Sequence, residues 1–199
     1  MPLLYNSQVS GNCWKVRQIL AHRGIAYERH ELDVVDRSNR PEVLGGLNPA
    51  LRVPTIVLDD GRPLGESNAI LSYFAEGTEY VPADPYERAL VNQWLFFEQY
   101  QHEPYVAVAR FLLAYVAEKP TPERLAELHA GGYKAFDAME SRLADHDYLV
   151  GDAYTIADIA LYAYTHVAEV GEFDLSGYPG IQAWLARVAA QPGHVTLDD

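Results

Sequence analysis

The chain has 199 residues, 49% of them hydrophobic and 22% charged, enough apolar material for a real core in one domain or two small ones. Its 28 acidic residues outnumber 15 basic ones for a formal net charge of −13, which argues against non-specific binding to nucleic acid or to an anionic membrane. The imbalance is uneven: residues 1–80 carry 8 basic and 10 acidic side chains and residues 81–199 carry 7 and 18, so a small anion meets less repulsion in the first part.

No basic stretch followed by an apolar run opens the sequence, and no segment reaches the length of a membrane span. The single cysteine, Cys13, excludes an intrachain disulfide framework. These features set the expectation of a cytoplasmic protein. The seven histidines are scattered without metal-ligand spacing, so no metal is expected.

In chain order, residues 2–5 predict a strand, residues 9–11 a tight turn and residues 12–22 a helix stopped by Gly24. Residues 27–34 predict a second, charged strand, followed by a polar loop with a short helical turn that Asn48-Pro49 breaks. Residues 53–58 predict a third strand, Asp59-Asp60-Gly61 a hairpin turn and residues 63–65 a short returning strand. Glu66 to Tyr73 begins another helix with Ser67 as the natural N-cap. The order is βαβ followed by αββα.

Strand signals stop at Asp84, and the stretch 76–84 is the expected linker. Apolar residues at helical spacing predict a helix over 86–116 with a kink at Pro104. Thr121-Pro122-Glu123 opens a helix to about Leu143, Thr155-Ile156-Ala157-Asp158 is a capping-box variant with Asp in the Glu/Gln place, and Tyr178-Pro179-Gly180 opens a last helix. The fold class is α/β plus all-α, with domains at 1–79 and 85–199.

The stretch Ser10-Gly11-Asn12-Cys13-Trp14-Lys15-Val16-Arg17 joins the first strand to the first helix. Its turn points several backbone N–H groups at one spot, where the helix dipole favours negative charge. Ser10 or Asn12 can equally be a simple helix cap.

Three elements carry a resemblance: this octet, Val53-Pro54-Thr55 entering the third strand, and Glu66-Ser67-Asn68-Ala69-Ile70 at the next helix start. Together with the Thr155 to Asp158 box they make the whole chain resemble a bacterial, cytosolic-type glutathione transferase of the serine-containing kind. The resemblance implies a thioredoxin-like N-terminal domain, an all-helical C-terminal domain and a homodimer, with glutathione as co-substrate. It implies that Pro54 is cis and that Val53 turns its backbone toward the cysteinyl backbone of glutathione, as an added strand would.

The tripeptide's γ-glutamyl end needs a carboxylate-binding helix start beside an acid, which Ser67 and Glu66 supply. Its thiol, about 3% ionised at pH 7 for a pKa near 8.5, must become a thiolate. A charge-assisted hydrogen bond from Ser10, about 1.5–3 kcal/mol, and the helix N-terminus lower that pKa by about one to two units. Ser10 is then a donor and not a nucleophile, since no G-x-S-x-G elbow or partner base accompanies it. Asn12 shares this role, takes it over or caps the helix. Cys13, at the inward position of a Ser-x-x-Cys spacing, reads as a buried, inert thiol.

Arg40 and Arg52 are candidates for the glycyl carboxylate, with Arg37 nearby. The hydrophobic electrophile is expected between the domains, near Trp14, Tyr100, His102, Tyr105 and Arg110, although aromatics at helical spacing are more often core. Other readings stay open: a glutathione-dependent disulfide or peroxide reductase, an isomerase, or a non-catalytic interaction module of the same fold.

Overall fold

Period-two alternation in β1 (Leu3–Asn6) turns Leu4 and Asn6 into the interior. The computed structural model describes residues 1–199 and divides into two units, one of residues 1–76 with 192–199 and one of residues 77–191. In the first unit β1 pairs in parallel with β2 (Glu28–Glu31) and antiparallel with β3 (Thr55–Val57). β3 pairs antiparallel with β4 (Pro63–Gly65), giving the sheet order β2-β1-β3-β4. Helix α1 (Gly11–His22) makes the crossover between the parallel strands, α2 (Arg40–Leu44) follows β2 and α3 (Ser67–Ala75) follows β4. This is the expected thioredoxin-like order. Leu4 and Ile56 are register partners, and with Val16 and Leu20 of α1 and Ile70 of α3 they form the core of the sheet's covered face.

Two departures have physical causes. β2 is four residues long, not the eight of 27–34, because all its side chains are exposed and charge suits a sheet edge better than a long ladder. Helix α1 is buried at every position from Cys13 to Leu20, its charged residues included. The sheet core covers Val16 and Leu20, the start of α3 meets Lys15, and residues 193–197 cover Trp14 and Gln18.

That last segment runs along α1 much as a strand would. Gln18 donates to the Gly193 carbonyl at 3.0 Å and accepts from the Val195 N–H at 2.9 Å. Trp14 Nε1 donates to the Val195 carbonyl at 2.8 Å and Arg17 Nη2 to the Leu197 carbonyl at 2.8 Å. The expected boundary assigned these residues to the second domain; their hydrogen bonds assign them to the first unit.

The second unit is helical throughout: α4 (Pro85–Phe97), α5 (Glu103–Ala114), α6 (Pro122–Leu143), α7 (Ile156–Thr165) and α8 (Pro179–Ala189). Thr121 caps α6 by accepting from Arg124 N, and α7 has the complete box in which Thr155 and Asp158 serve each other's ends. The helix expected over 86–116 divides at a π-helical turn, Glu98–His102, where the Glu103 N–H reaches back five residues to the Glu98 carbonyl. Pro104 has no N–H to continue the α ladder, and the wider turn just before it absorbs the mismatch. A 3₁₀ turn, Ala168–Gly171, was not signalled by the sequence. No helix is long and apolar enough to cross a membrane.

Candidate active site

The sheet register gathers the three motifs. Tyr5 near the end of β1 faces Thr55 at the start of β3, and Thr55 faces Gly65 at the end of β4. The turn at residues 7–10, the Val53-Pro54 step and Glu66-Ser67 therefore leave the sheet at the same end.

Ser10 is the N-cap of α1, with extended backbone and its Oγ accepting from Cys13 N at 3.3 Å. Capping uses a lone pair of the hydroxyl and not its proton; that proton is directed at the Cys13 thiol, from which it must turn to serve a bound thiolate. The first turn of α1 contains no acid that would offset its dipole.

Ser67 departs from the expected cap. It is the first helical residue of α3, the N-cap position belongs to Glu66, and no side chain caps this helix. The Ser67 hydroxyl instead donates to Asn12 Oδ1 at 3.2 Å, which ties the start of α3 to the start of α1. Lys15, without solvent exposure, places Nζ at 3.4 Å from both Ser67 Oγ and Asn68 Oδ1. Glu66 is exposed and holds φ 65°, ψ 115°, a conformation rare for a side chain with a Cβ and costing about 1–3 kcal/mol. Such outliers concentrate at ligand-binding positions, and nothing about an exposed carboxylate otherwise requires this one.

The Val53–Pro54 peptide bond is cis. The loop before it is braced from within. Asn48 donates to the Arg52 carbonyl at 3.2 Å and to Thr55 Oγ1 at 2.9 Å while accepting from Ala50 N at 3.0 Å. Thr55 Oγ1 donates to the Arg52 carbonyl at 2.8 Å. Arg40 is buried, with Nη1 on the Leu51 carbonyl at 3.2 Å and Nη2 on the Asp33 carbonyl at 3.0 Å. It acts as a strut under this loop, in which Leu51 has φ 53°. The side chains of Arg37 and Arg52 lie at the surface, and Arg37 Nε donates to the Val34 carbonyl at 3.0 Å.

Cys13 is fully buried, and its thiol accepts from Ser7 N at 3.3 Å. Burial pushes that thiol up to about 11, against the smaller opposing pull of the hydrogen bonds from Ser10 and Ser7. It is a packing residue, as its position suggests.

The residues expected around an electrophile are separated by burial. Trp14 has no exposed surface and spends its indole N–H on Val195, so it does not border an open pocket. His102 is also fully buried. The Thr165 hydroxyl donates to the Leu161 carbonyl at 2.7 Å, which leaves it to accept from His102 Nε2 at 2.9 Å. His102 thus belongs to the core beside Phe136, 5.6 Å between ring centroids, because the π turn rotates it inward. Arg110 is buried, bonded to Tyr115 OH at 2.7 Å and stacked over that ring. Tyr100, 77% exposed, and Tyr105 remain accessible. Tyr105 lies over Gly131, where a Cβ would strike its ring, and lines a cavity of about 280 Å³ with Gln101, Glu127 and Lys134.

Sequence reasoning missed Lys15 and Asn48. Asn48 carried a signal, since Asn before Pro commonly organises a turn through its side chain. Lys15 carried none, because a lysine in a helix normally reads as solvent-facing.

Residues 9–76 match the family described as glutathione S-transferase, N-terminal domain, and residues 98–192 that described as glutathione S-transferase, C-terminal domain. A crystal structure of a glutathione S-transferase from Pseudomonas fluorescens Pf-5 superposes with a TM-score of 0.94 at 48% identity, covering 100% of this chain and 99% of that one. Glutathione S-transferase 3 of Zea mays is 30% identical over 203 residues, covering 95% of this chain and 89% of that protein. Glutathione S-transferase D6 of Drosophila melanogaster is 32% identical over 142 residues, with 69% of this chain spanning 64% of the relative's length. By these matches and by its two-unit architecture, the chain belongs to the glutathione S-transferase family of enzymes.

Proposed function

We propose that this transferase is of the serine type: it binds glutathione at the joined starts of α1 and α3, ionises its thiol beside Ser10 and adds the thiolate to a hydrophobic electrophile. The observation that carries this reading is the Ser67–Asn12 hydrogen bond, which brings two helix N-termini together beside the Ser10 cap.

In this reading the uncapped backbone N–H groups at Ser67 take the γ-glutamyl carboxylate, the hydroxyl proton being held by Asn12, and the exposed Glu66 carboxylate serves the ammonium. Val53 pairs with the cysteinyl backbone. The glycyl carboxylate falls to Arg52 at the surface, while Arg40 contributes by holding the loop. Ser10 donates to the sulfur and Asn12 contributes a second donor from its amide. Bond formation is then simple: the thiolate sulfur attacks an electron-poor carbon and the leaving group departs with the electron pair, or an activated alkene takes it up and is later protonated. Of the residues expected near an apolar electrophile, Tyr100 and Tyr105 of the second unit are the accessible ones. A homodimer and a cytoplasmic setting complete the proposal.

Asn12 also supports a second reading, reduction of a glutathione mixed disulfide, because some bacterial members of the family with an Asn at this place act on disulfides. Two assays on one preparation separate the readings. An activated aryl halide and a mixed disulfide are offered with glutathione while binding is followed by calorimetry. Conjugation exceeding disulfide exchange supports the transferase reading, the reverse supports the reductase, and absence of glutathione binding leaves an interaction module.

A further inference from the structure

We infer that Lys15 is a positioning residue that couples recognition of the γ-glutamyl end of glutathione to activation of its sulfur, through a relay from Lys15 to Ser67 to Asn12. The inference rests on the proposed glutathione site and adds to it a residue that never touches the reacting atoms.

The direction of each hydrogen bond is fixed by chemistry. An ammonium only donates, so Lys15 Nζ gives protons to Ser67 Oγ and to Asn68 Oδ1, both at 3.4 Å. With a donor arriving on its oxygen, the Ser67 hydroxyl directs its one proton to Asn12 Oδ1 at 3.2 Å. An Asn amide has two unlike edges, and this bond assigns its carbonyl edge to α3. Its other edge then carries only N–H donors. Asn12 sits in the first turn of α1, two residues from Ser10, so the orientation set by Lys15 determines whether Asn12 meets an anionic sulfur with a donor or with a lone pair. The second case would be repulsive. Lys15 is wholly buried, so its charge acts on this network with little solvent screening. It also lies behind the same Ser67 that would receive the γ-glutamyl carboxylate. Occupation of that subsite by the backbone N–H of Ser67 and orientation of the sulfur donor by its hydroxyl therefore share one residue.

The test is the pKa of the thiol of bound glutathione, read from thiolate ultraviolet absorbance at saturating glutathione, in wild type, Lys15→Met, Ser67→Ala and Asn12→Ala and in the double variants. Lys15→Met keeps the apolar stem that packs in α1, and thermal unfolding checks that it folds. Each single variant is expected to raise the bound-thiol pKa by about one unit, a tenfold loss of thiolate below pH 7. Lys15→Met and Ser67→Ala are expected to add nothing in the Asn12→Ala background. A wild-type pKa that is lowered but unmoved by Lys15→Met, or shifts that persist without Asn12, overturns the relay alone. Bound glutathione with an ordinary thiol pKa in the wild type overturns the proposed function and the relay together. If Lys15→Met does not fold, Ser67→Ala in the presence and absence of Asn12 decides the matter by the same criterion.

Discussion

Two helix starts in this molecule look alike in sequence and do opposite things. At α7, Thr155 and Asp158 close a full capping box, and Asp158 also accepts from Leu149 N at 3.1 Å and from Trp184 Nε1 at 2.9 Å. At α3, no side chain caps the helix, Glu66 holds a strained backbone, and Ser67 turns its hydroxyl away to Asn12. The first start spends every polar group on the fold. The second leaves backbone N–H groups uncapped and accepts strain, the expected signature of a place kept for a ligand. Under the proposed function, stability and binding are thus concentrated at different helix starts, one in each unit.

The largest test of this contrast is Asp158→Ala. It strips an acceptor from several buried donors at once, and it is expected to lower stability by about 3–5 kcal/mol, measured by urea unfolding. Ser10→Ala should slow conjugation at neutral pH by about tenfold or more while leaving the unfolding midpoint within a few degrees; it removes one cap and one charge-assisted donor. Ser67→Ala is expected to weaken glutathione binding about tenfold in calorimetry with a stability loss near 1 kcal/mol, well below that of Asp158→Ala. An equal stability loss at Ser67 and Asp158 would dissolve the comparison.

Glu66→Gly sharpens it from the other side. Glycine adopts the positive φ without penalty, so the variant should gain about 1 kcal/mol of stability while losing affinity for glutathione. The last expectation concerns Cys13, whose effect on stability changes only at high pH. Its folded pKa, about 11, lies above the ordinary 9.0, so the native state holds the proton more tightly than the unfolded chain. The resulting stabilisation is full below pH 9 and is lost as pH rises toward 11. Alkylation of the folded protein at pH 8 should accordingly be slow and limited by opening of α1.

What the sequence made legible follows from local chemistry. The short apolar run of β1, the Pro at the starts of α6 and α8, and the Thr155 to Asp158 box each act within a few residues, and each is found. The order of elements was enough to place the thioredoxin-like unit before the helical one. The illegible parts are non-local. Lys15, Arg17 and Gln18 read as the polar face of α1, yet each is buried against distant chain: Lys15 at the start of α3, Arg17 between the turn at residues 6–8 and Leu197, and Gln18 at residues 193–195. Nothing within twenty residues of Gln18 announces a partner 175 residues away. His102 and Arg110 read as pocket residues because Pro104 lies between them, and the π turn and the Tyr115 stack take both into the interior. Ser67 reads as a local cap, whereas its hydroxyl bonds Asn12, 55 residues distant.

The central claim is that the joined starts of α1 and α3 ionise a bound thiol. Its most direct measurement is the ultraviolet absorbance of glutathione thiolate against pH on the wild-type protein, beside Ser10→Ala and Asn12→Ala. The bound thiol is expected to titrate about one to two units below the free thiol, with most of that shift lost when Ser10 or Asn12 is removed. A bound thiol that titrates like free glutathione, or a lowered pKa that survives the loss of both side chains, would contradict it.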